Sequence, residues 1–276
     1  MSMMQIAFSS MRYYWRSDAV IAIGVAIATA VLTGALIVGD SMRGSLRELT
    51  LERLGNIDEM LISDGFFRQA LAHEISETDL FKENYQSALP AILFPNGSVE
   101  WKRDRTTFRS TRVMVIGMVP EFWQLGDPSI APATALAGRQ VAINATLAKN
   151  LGITQQDVDN QTAMVTVRIP KPSQLPADST LGRKTDLVAS LVDLKVTAII
   201  PTRSLGRFGL HPSQANPANI YLPIDLIANE LSQGVLSHKA DAAQCNTVLI
   251  ASKDLQRPPG QAVTDALQSA LRPALA

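Results

Sequence analysis

A single cysteine, Cys245, stands in the whole chain. No intrachain disulfide can form, and the thiol is expected to pack as a small apolar side chain. Histidine is almost as scarce. His73, His211 and His238 lie far apart in sequence, which leaves little from which to build a His/Cys metal site. Net charge is absent: Lys plus Arg and Asp plus Glu number 25 each. A chain with no basic excess lacks the phosphate-neutralising patch on which nucleic-acid binding relies. The motifs G-x-x-x-x-G-K-[ST], G-x-G-x-x-G, G-x-S-x-G and H-E-x-x-H are all missing. Gly182-Arg183-Lys184-Thr185 has the wrong spacing to cradle phosphates on backbone amides, so the chain is not expected to hydrolyse ATP. Its carboxylates are spread out and offer no pair suited to acid–base work. We therefore expect no enzyme, no cofactor and no metal.

What the sequence does have is one long apolar run, Ala19 to Val38, with Asp18 before it and Asp40 after it. A helix rises about 1.5 Å per residue, so the run spans roughly 30 Å, the thickness of a bilayer's hydrocarbon core. We read residues 18–39 as a transmembrane helix. A signal peptide would have a shorter apolar core and an A-x-A-like cleavage site; this run ends in Gly39-Asp40-Ser41 instead. Ala26, Ala30 and Gly34 recur at four-residue spacing and so share one face. Small residues on a shared face let helices approach closely in lipid, which makes these three a candidate packing face for transmembrane partners. Ala and Gly are also simply common in such segments.

Residues 1–17 carry Ile6, Phe8, Met11, Tyr14 and Trp15 with Arg12 and Arg16. This segment reads as an interfacial helix or as a plain juxtamembrane flank. Arg43, Arg47 and Arg53 on the other side of the span leave the positive-inside rule close to a tie. After the span, Met42, Leu46 and Leu49 recur at helical spacing, widened by Leu51 and Leu54, with charges on the other face. This predicts a helical stalk over 40–55, about 22 Å long, with Gly44 its weak point and Gly55 its C′ stop.

The remaining residues, 56–276, alternate strand and helix patterns. Asp58–Ile62 reads as a strand and Phe67–Ile75 as a short helix. Ala88–Phe94 and Val99–Arg103 read as the arms of a hairpin turning at Asn96-Gly97, a strong two-residue turn signal. Thr111–Val119 suits a strand covered on both faces. Arg139–Leu151 begins extended at Val141 and Ile143 and becomes a helix that stops at Gly152. Thr162–Ile169, Leu194–Ile200, Ile220–Leu222 and Thr247–Ala251 read as strands, Ile224–Leu231 and Gln261–Leu271 as helices. Pro170–Ser190 reads as a long exposed loop and a candidate binding surface.

Gly39-Asp40-Ser41 matches the nucleophile block of GDS-type esterases, but no D-x-x-H follows at any histidine. Asn96-Gly97-Ser98, Asn144-Ala145-Thr146 and Asn160-Gln161-Thr162 match a glycosylation pattern that is frequent by chance.

Several pieces together resemble one family. They are the basic aromatic flank, the single span, Gly39-Asp40-Ser41-Met42-Arg43-Gly44-Ser45-Leu46-Arg47, and the stalk ending Glu52-Arg53-Leu54-Gly55. Gly117–Trp123 (GMVPEFW) is similar to a "Gly-Val-x-x-x-Phe-Trp" stretch, and Ile143–Gly152 (INATLAKNLG) to an "Asn-x-x-Leu-Ala-x-x-Leu-Gly" helix. Gly206-Arg207-Phe208 with Leu210 and the strand Asn246–Ile250 also fit. In this order they resemble the FtsX-like ABC-transporter permeases with a MacB-type periplasmic core domain.

The resemblance implies an α+β fold: a transmembrane helix, its stalk, and a mixed α/β extracytoplasmic domain of two subdomains. It implies a cytoplasmic ABC ATPase as partner, further transmembrane helices or a second permease copy, and a plasma or inner membrane location. ATP hydrolysis would move the outer domain through the stalk, to export or handle lipoproteins, lipids or peptides. Family members usually carry more spans after the core domain, whereas this sequence stops at Ala276, so a truncated or split permease is expected. The alternatives are a stand-alone, single-pass, membrane-anchored binding or adaptor protein, and a hydrolase using Ser41.

Overall fold

The computed structural model describes residues 13–103, 105–170, 188–210, 215–235, 243–253, 263–265 and 267. It divides into two units, Met1–Leu49 and Thr50–Ala276. The first contains most of one uninterrupted helix, α1 (Trp15–Leu54). This helix runs through Gly44 without a break, because one glycine costs only about 1 kcal/mol in a helix interior. Its apolar stretch is long enough to cross a membrane, and none of it is buried. Most of residues 1–17 lie outside the described residues.

The second unit is a mixed α/β domain. Its elements are β1 (Ile57–Arg68), α2 (Ala70–Glu77), α3 (Asp79–Asn84), β2 (Tyr85–Arg103), β3 (Thr106–Met118), β4 (Gln140–Asn144) and α4 (Ala145–Leu151). They continue with α5 (Gln155–Asp159), β5 (Met164–Pro170), β6 (Val188–Ile200), β7 (Asn219–Pro223), α6 (Ile224–Val235) and β8 (Gln244–Ser252). Among the described residues, 3₁₀ turns at Pro120–Leu125, Pro128–Ile130 and Ser204–Arg207 join them. The sheet order is β1-β8-β2-β3-β7-β4-β6-β5, and β5 pairs back onto β2. Six strands, β2-β3-β7-β4-β6-β5, therefore close on themselves, and β8 and β1 extend the sheet from the first half of β2. Closure removes the sheet edges that β5 and β2 would otherwise present.

Strand alternation sorts residues into two cores. Val113 and Val115 of β3, Val141 and Ile143 of β4, and Ile220 and Leu222 of β7 join one cluster. Their neighbours Met114, Ile116, Ala142 and Tyr221 point the other way, into a second cluster with Phe122, Trp123, Leu125, Leu205 and Phe208. The expected strand covered on both faces is thus β3, and the second cover comes from the 3₁₀ turns. A third cluster holds Leu71, Ile75, Phe81, Tyr85 and Leu267 against β8.

Three readings of the sequence are corrected. Asn96-Gly97 is not a hairpin turn. β2 runs straight through it and turns only after Arg103, which pairs with Thr106. The register slips on either side of Gly97, so this is a β-bulge. Glycine is needed there for close approach: a Cβ would lie 2.4 Å from Val115 Cγ2. Gly97→Ala is accordingly expected to destabilise by about 1–3 kcal/mol through overpacking. Exposed Asn96→Ala should stay within about 0.5 kcal/mol. Paired thermal melts check this, and equal losses at both positions would restore the turn. Secondly, Phe67 and Arg68 are not helical. They extend β1, opposite Cys245 and Gln244, because β8 supplies backbone partners there, and the helix starts at Ala70. Thirdly, Pro170 and Val188–Ser190 belong to paired strands, not a loop; residues 171–187, like most of Gln261–Leu271, fall outside the described residues.

Candidate functional site

Four of the pieces that carry the family resemblance, the stalk end Glu52–Gly55, Gly117–Trp123 with its 3₁₀ turn, the start of Ile143–Gly152 and Gly206–Phe208, come together in the second unit where α1 ends. Gly55 takes φ +60° and donates its N–H to Leu51 O at 3.0 Å, a left-handed helix stop. The next residue bonds at once to another element, Asn56 N–H to Leu125 O at 2.6 Å. A Cβ on Gly55 would stand 2.4 Å from that same carbonyl. Only glycine lets the chain leave the helix this close to the 3₁₀ turn of the Gly117–Trp123 motif.

Two arginines flank this exit. Arg53 is only 2% exposed and donates from Nη2 to Ala215 O at 3.1 Å. Arg207, from the Gly-Arg-Phe motif, donates from Nη1 to Glu52 Oε2 at 3.4 Å. Burial pulls the Arg53 guanidinium below the ordinary arginine value; Arg207 pulls it further and Glu52 partly offsets this. The Nε groups of both arginines are buried and have no hydrogen-bond partner among the described residues. The exit is therefore tight sterically, and among the described residues it leaves two buried donors without an acceptor, each of which costs about 1–3 kcal/mol where it stays unmet.

Behind it lies a buried polar network. Asn144 ends β4 and caps α4. Its Oδ1 accepts from Leu147 N–H at 2.9 Å and Asn219 N–H at 3.0 Å. Its Nδ2 donates to Gly206 O at 3.0 Å and Pro217 O at 2.7 Å. Asn219 Nδ2 donates to Phe208 O at 2.8 Å, and the Tyr221 hydroxyl donates to Leu205 O at 2.6 Å. Burial pushes the Tyr221 hydroxyl well above the usual tyrosine value, so it stays a donor. Three strand residues thus hold the backbone of residues 205–208 in place. The fit is close: a Cβ on Gly206 would meet Pro201 O at 2.0 Å, and one on Gly126 would meet Ser204 Oγ at 2.6 Å. Phe122, Trp123, Phe208 and Tyr221 fill the remaining space, with ring centroids 5.0–6.2 Å apart.

This arrangement can hold and position; it presents no nucleophile with a base. Among the described residues no group of three His, Cys, Asp or Glu could hold a metal. Asp40 and Ser41 lie in mid-helix and are exposed. Asn144, matched earlier to a glycosylation pattern, is fully buried. Cys245 is buried, and burial pushes its thiol up to about 12. A cleft of about 630 Å³ opens where β3 and β7 end, apolar apart from the side chains of Gln124, Asp225 and Asn229.

Of the residues singled out from sequence, Ala26, Ala30 and Gly34 are helical and exposed, as is Met42; Leu46 and Leu49 are half-buried. Arg53 and Arg207 stood out only as members of the family-like motifs, with no buried role expected of them, and Asn219 and Tyr221 were not singled out. Arginine reads as a solvated surface residue, and the polar network joins strands far apart in sequence.

No family model matches the chain, and no curated protein matches it. Among solved structures it is similar to the periplasmic region of MacB from Actinobacillus actinomycetemcomitans, at 11% identity and a TM-score of 0.39, over 81% of this chain and 88% of that one.

Proposed function

We propose that this chain is a non-enzymatic permease component of an ABC transporter, with one transmembrane helix and an extracytoplasmic domain that the helix drives. The observation that carries the reading is the end of α1. The helix that contains the apolar run finishes in a turn, Glu52-Arg53-Leu54-Gly55, in which Gly55 fits against Leu125, Glu52 accepts from Arg207 and buried Arg53 donates to Ala215. Movement of such a helix would enter the domain at that point. The resemblance of these same segments to FtsX-like permeases supports the reading.

In this reading residues 18–39 cross the membrane, 40–55 form the stalk and 56–276 the outer domain. Ala26, Ala30 and Gly34 face other transmembrane helices of the permease, and Met42, Leu46 and Leu49 face a neighbouring stalk. A cytoplasmic ABC ATPase supplies the motion.

Two measurements test this. Cysteines introduced at exposed Ala135 or Lys102 should react with a membrane-impermeant maleimide added outside intact cells. One at Ser2 should not, and buried Cys245 keeps the background low. Native membranes, crosslinked and solubilised, should yield the chain together with a P-loop ATPase and a further membrane subunit. A chain that migrates alone or as a homodimer, with no ATPase, sinks the proposal in favour of a stand-alone anchored binding protein.

A further inference from the structure

Consecutive residues on a helix do not face each other. Glu52 accordingly meets Arg207 at 3.4 Å, while Arg53 runs to the Ala215 carbonyl at 3.1 Å. Glu52 pairs directly with Arg207 and acts on Arg53 only through its charge. Two cations share one carboxylate, whose side chain is 44% exposed, and each keeps a buried Nε with no partner among the described residues. Steric fit at Gly55 and the Asn56-to-Leu125 bond favour the docked turn. The unmet donors favour loosening, which would let both Nε groups reach water or the Glu52 carboxylate.

We infer that residues 50–56 form a release point. The turn has a docked state, held by the Glu52–Arg207 pair together with the Asn56–Leu125 and Arg53–Ala215 hydrogen bonds, and an undocked state in which the sheet domain stays folded. Its biological meaning rests on the proposed function, as the place where helix motion either enters the domain or slips. The sheet domain tolerates undocking because its polar network runs through Asn144, Asn219 and Tyr221 and never through residues 50–56. A half-exposed ion pair as the holding contact makes the equilibrium sensitive to ionic strength.

Hydrogen–deuterium exchange on the full chain in lipid nanodiscs tests this. Raising KCl to about 0.5 M should speed exchange of residues 50–56 roughly threefold to fivefold, the range expected for one exposed pair. Amides of β4 should not respond. Glu52→Gln should reach the fast rate at low salt and lose the salt response; Arg207→Lys should fall between. Exchange at 50–56 that ignores both salt and substitution, or that changes only in step with β4, overturns the inference. Should either variant fail to fold, the salt series on the unaltered chain decides alone. The absence of an ATPase partner would leave this result standing, so the two proposals fail separately.

Discussion

Asn144→Ala is expected to lower the stability of the sheet domain by about 3–5 kcal/mol. The side chain is fully buried and makes four hydrogen bonds, two accepted and two donated. Truncation removes a helix cap, worth about 0.5–2 kcal/mol. It also strands the carbonyls of Gly206 and Pro217 and the N–H of Asn219, and each buried group left unpaired costs about 1–3 kcal/mol. Water entering the space left behind offsets part of this, which keeps the total below the simple sum. At 2–4 °C per kcal/mol for a domain of this size, the melting temperature should fall by roughly 6–20 °C. Asn144→Asp separates the contributions. Its carboxylate can still accept from Leu147 and Asn219, but it faces the two carbonyls with no donor, so it should be as damaging as alanine or worse. A change of only a degree or two in either variant would mean that residues 205–208 are held by packing alone.

Much of the architecture was legible because single residues carried the decision. Val113 and Val115 alternating with Met114 and Ile116 demanded cover on both faces, and the structure supplies two cores. Gly55 and Gly152 stop their helices with positive φ, since no other residue takes that conformation as cheaply. The bulge at Gly97 was misread because a glycine needed for close approach leaves the same trace in sequence as one needed to turn. Only the position of Val115 across the ladder distinguishes them. The return of β5 onto β2 could not be read at all, since closure depends on a ladder that sets Ser98 opposite Arg168 and Glu100 opposite Thr166, segments far apart in sequence that no local pattern links. The site was half legible. Glu52–Gly55, Gly117–Trp123 and Gly206–Phe208 stood out as short motifs. That they meet, and that Arg53 is buried, depends on tertiary neighbours that no local pattern encodes.

Gly55→Ala should be the more damaging of two otherwise matched glycine substitutions. Both Gly55 and Gly152 end a helix with positive φ, +60° and +75°. Alanine in that region costs about 1–2 kcal/mol whatever surrounds it. At Gly152 nothing lies within 4 Å of the added Cβ, so Gly152→Ala should show that strain alone. At Gly55 the Cβ would press on the Leu125 carbonyl at 2.4 Å and the Gly126 Cα at 3.0 Å. These are backbone atoms that cannot rotate away, and relief requires the chain itself to shift, which adds about 1–3 kcal/mol. Two responses are open to the domain. If the turn of residues 50–56 cannot leave its seat, the whole penalty of about 2–5 kcal/mol appears in the thermal melt. If the turn can undock, the melt loses no more than the docking free energy, and the remainder appears as fast hydrogen exchange confined to residues 50–56. Equal losses at Gly55 and Gly152, with unchanged exchange, would show that the close contact with Leu125 does not exist in solution, and the route by which the helix is proposed to act on the domain would go with it.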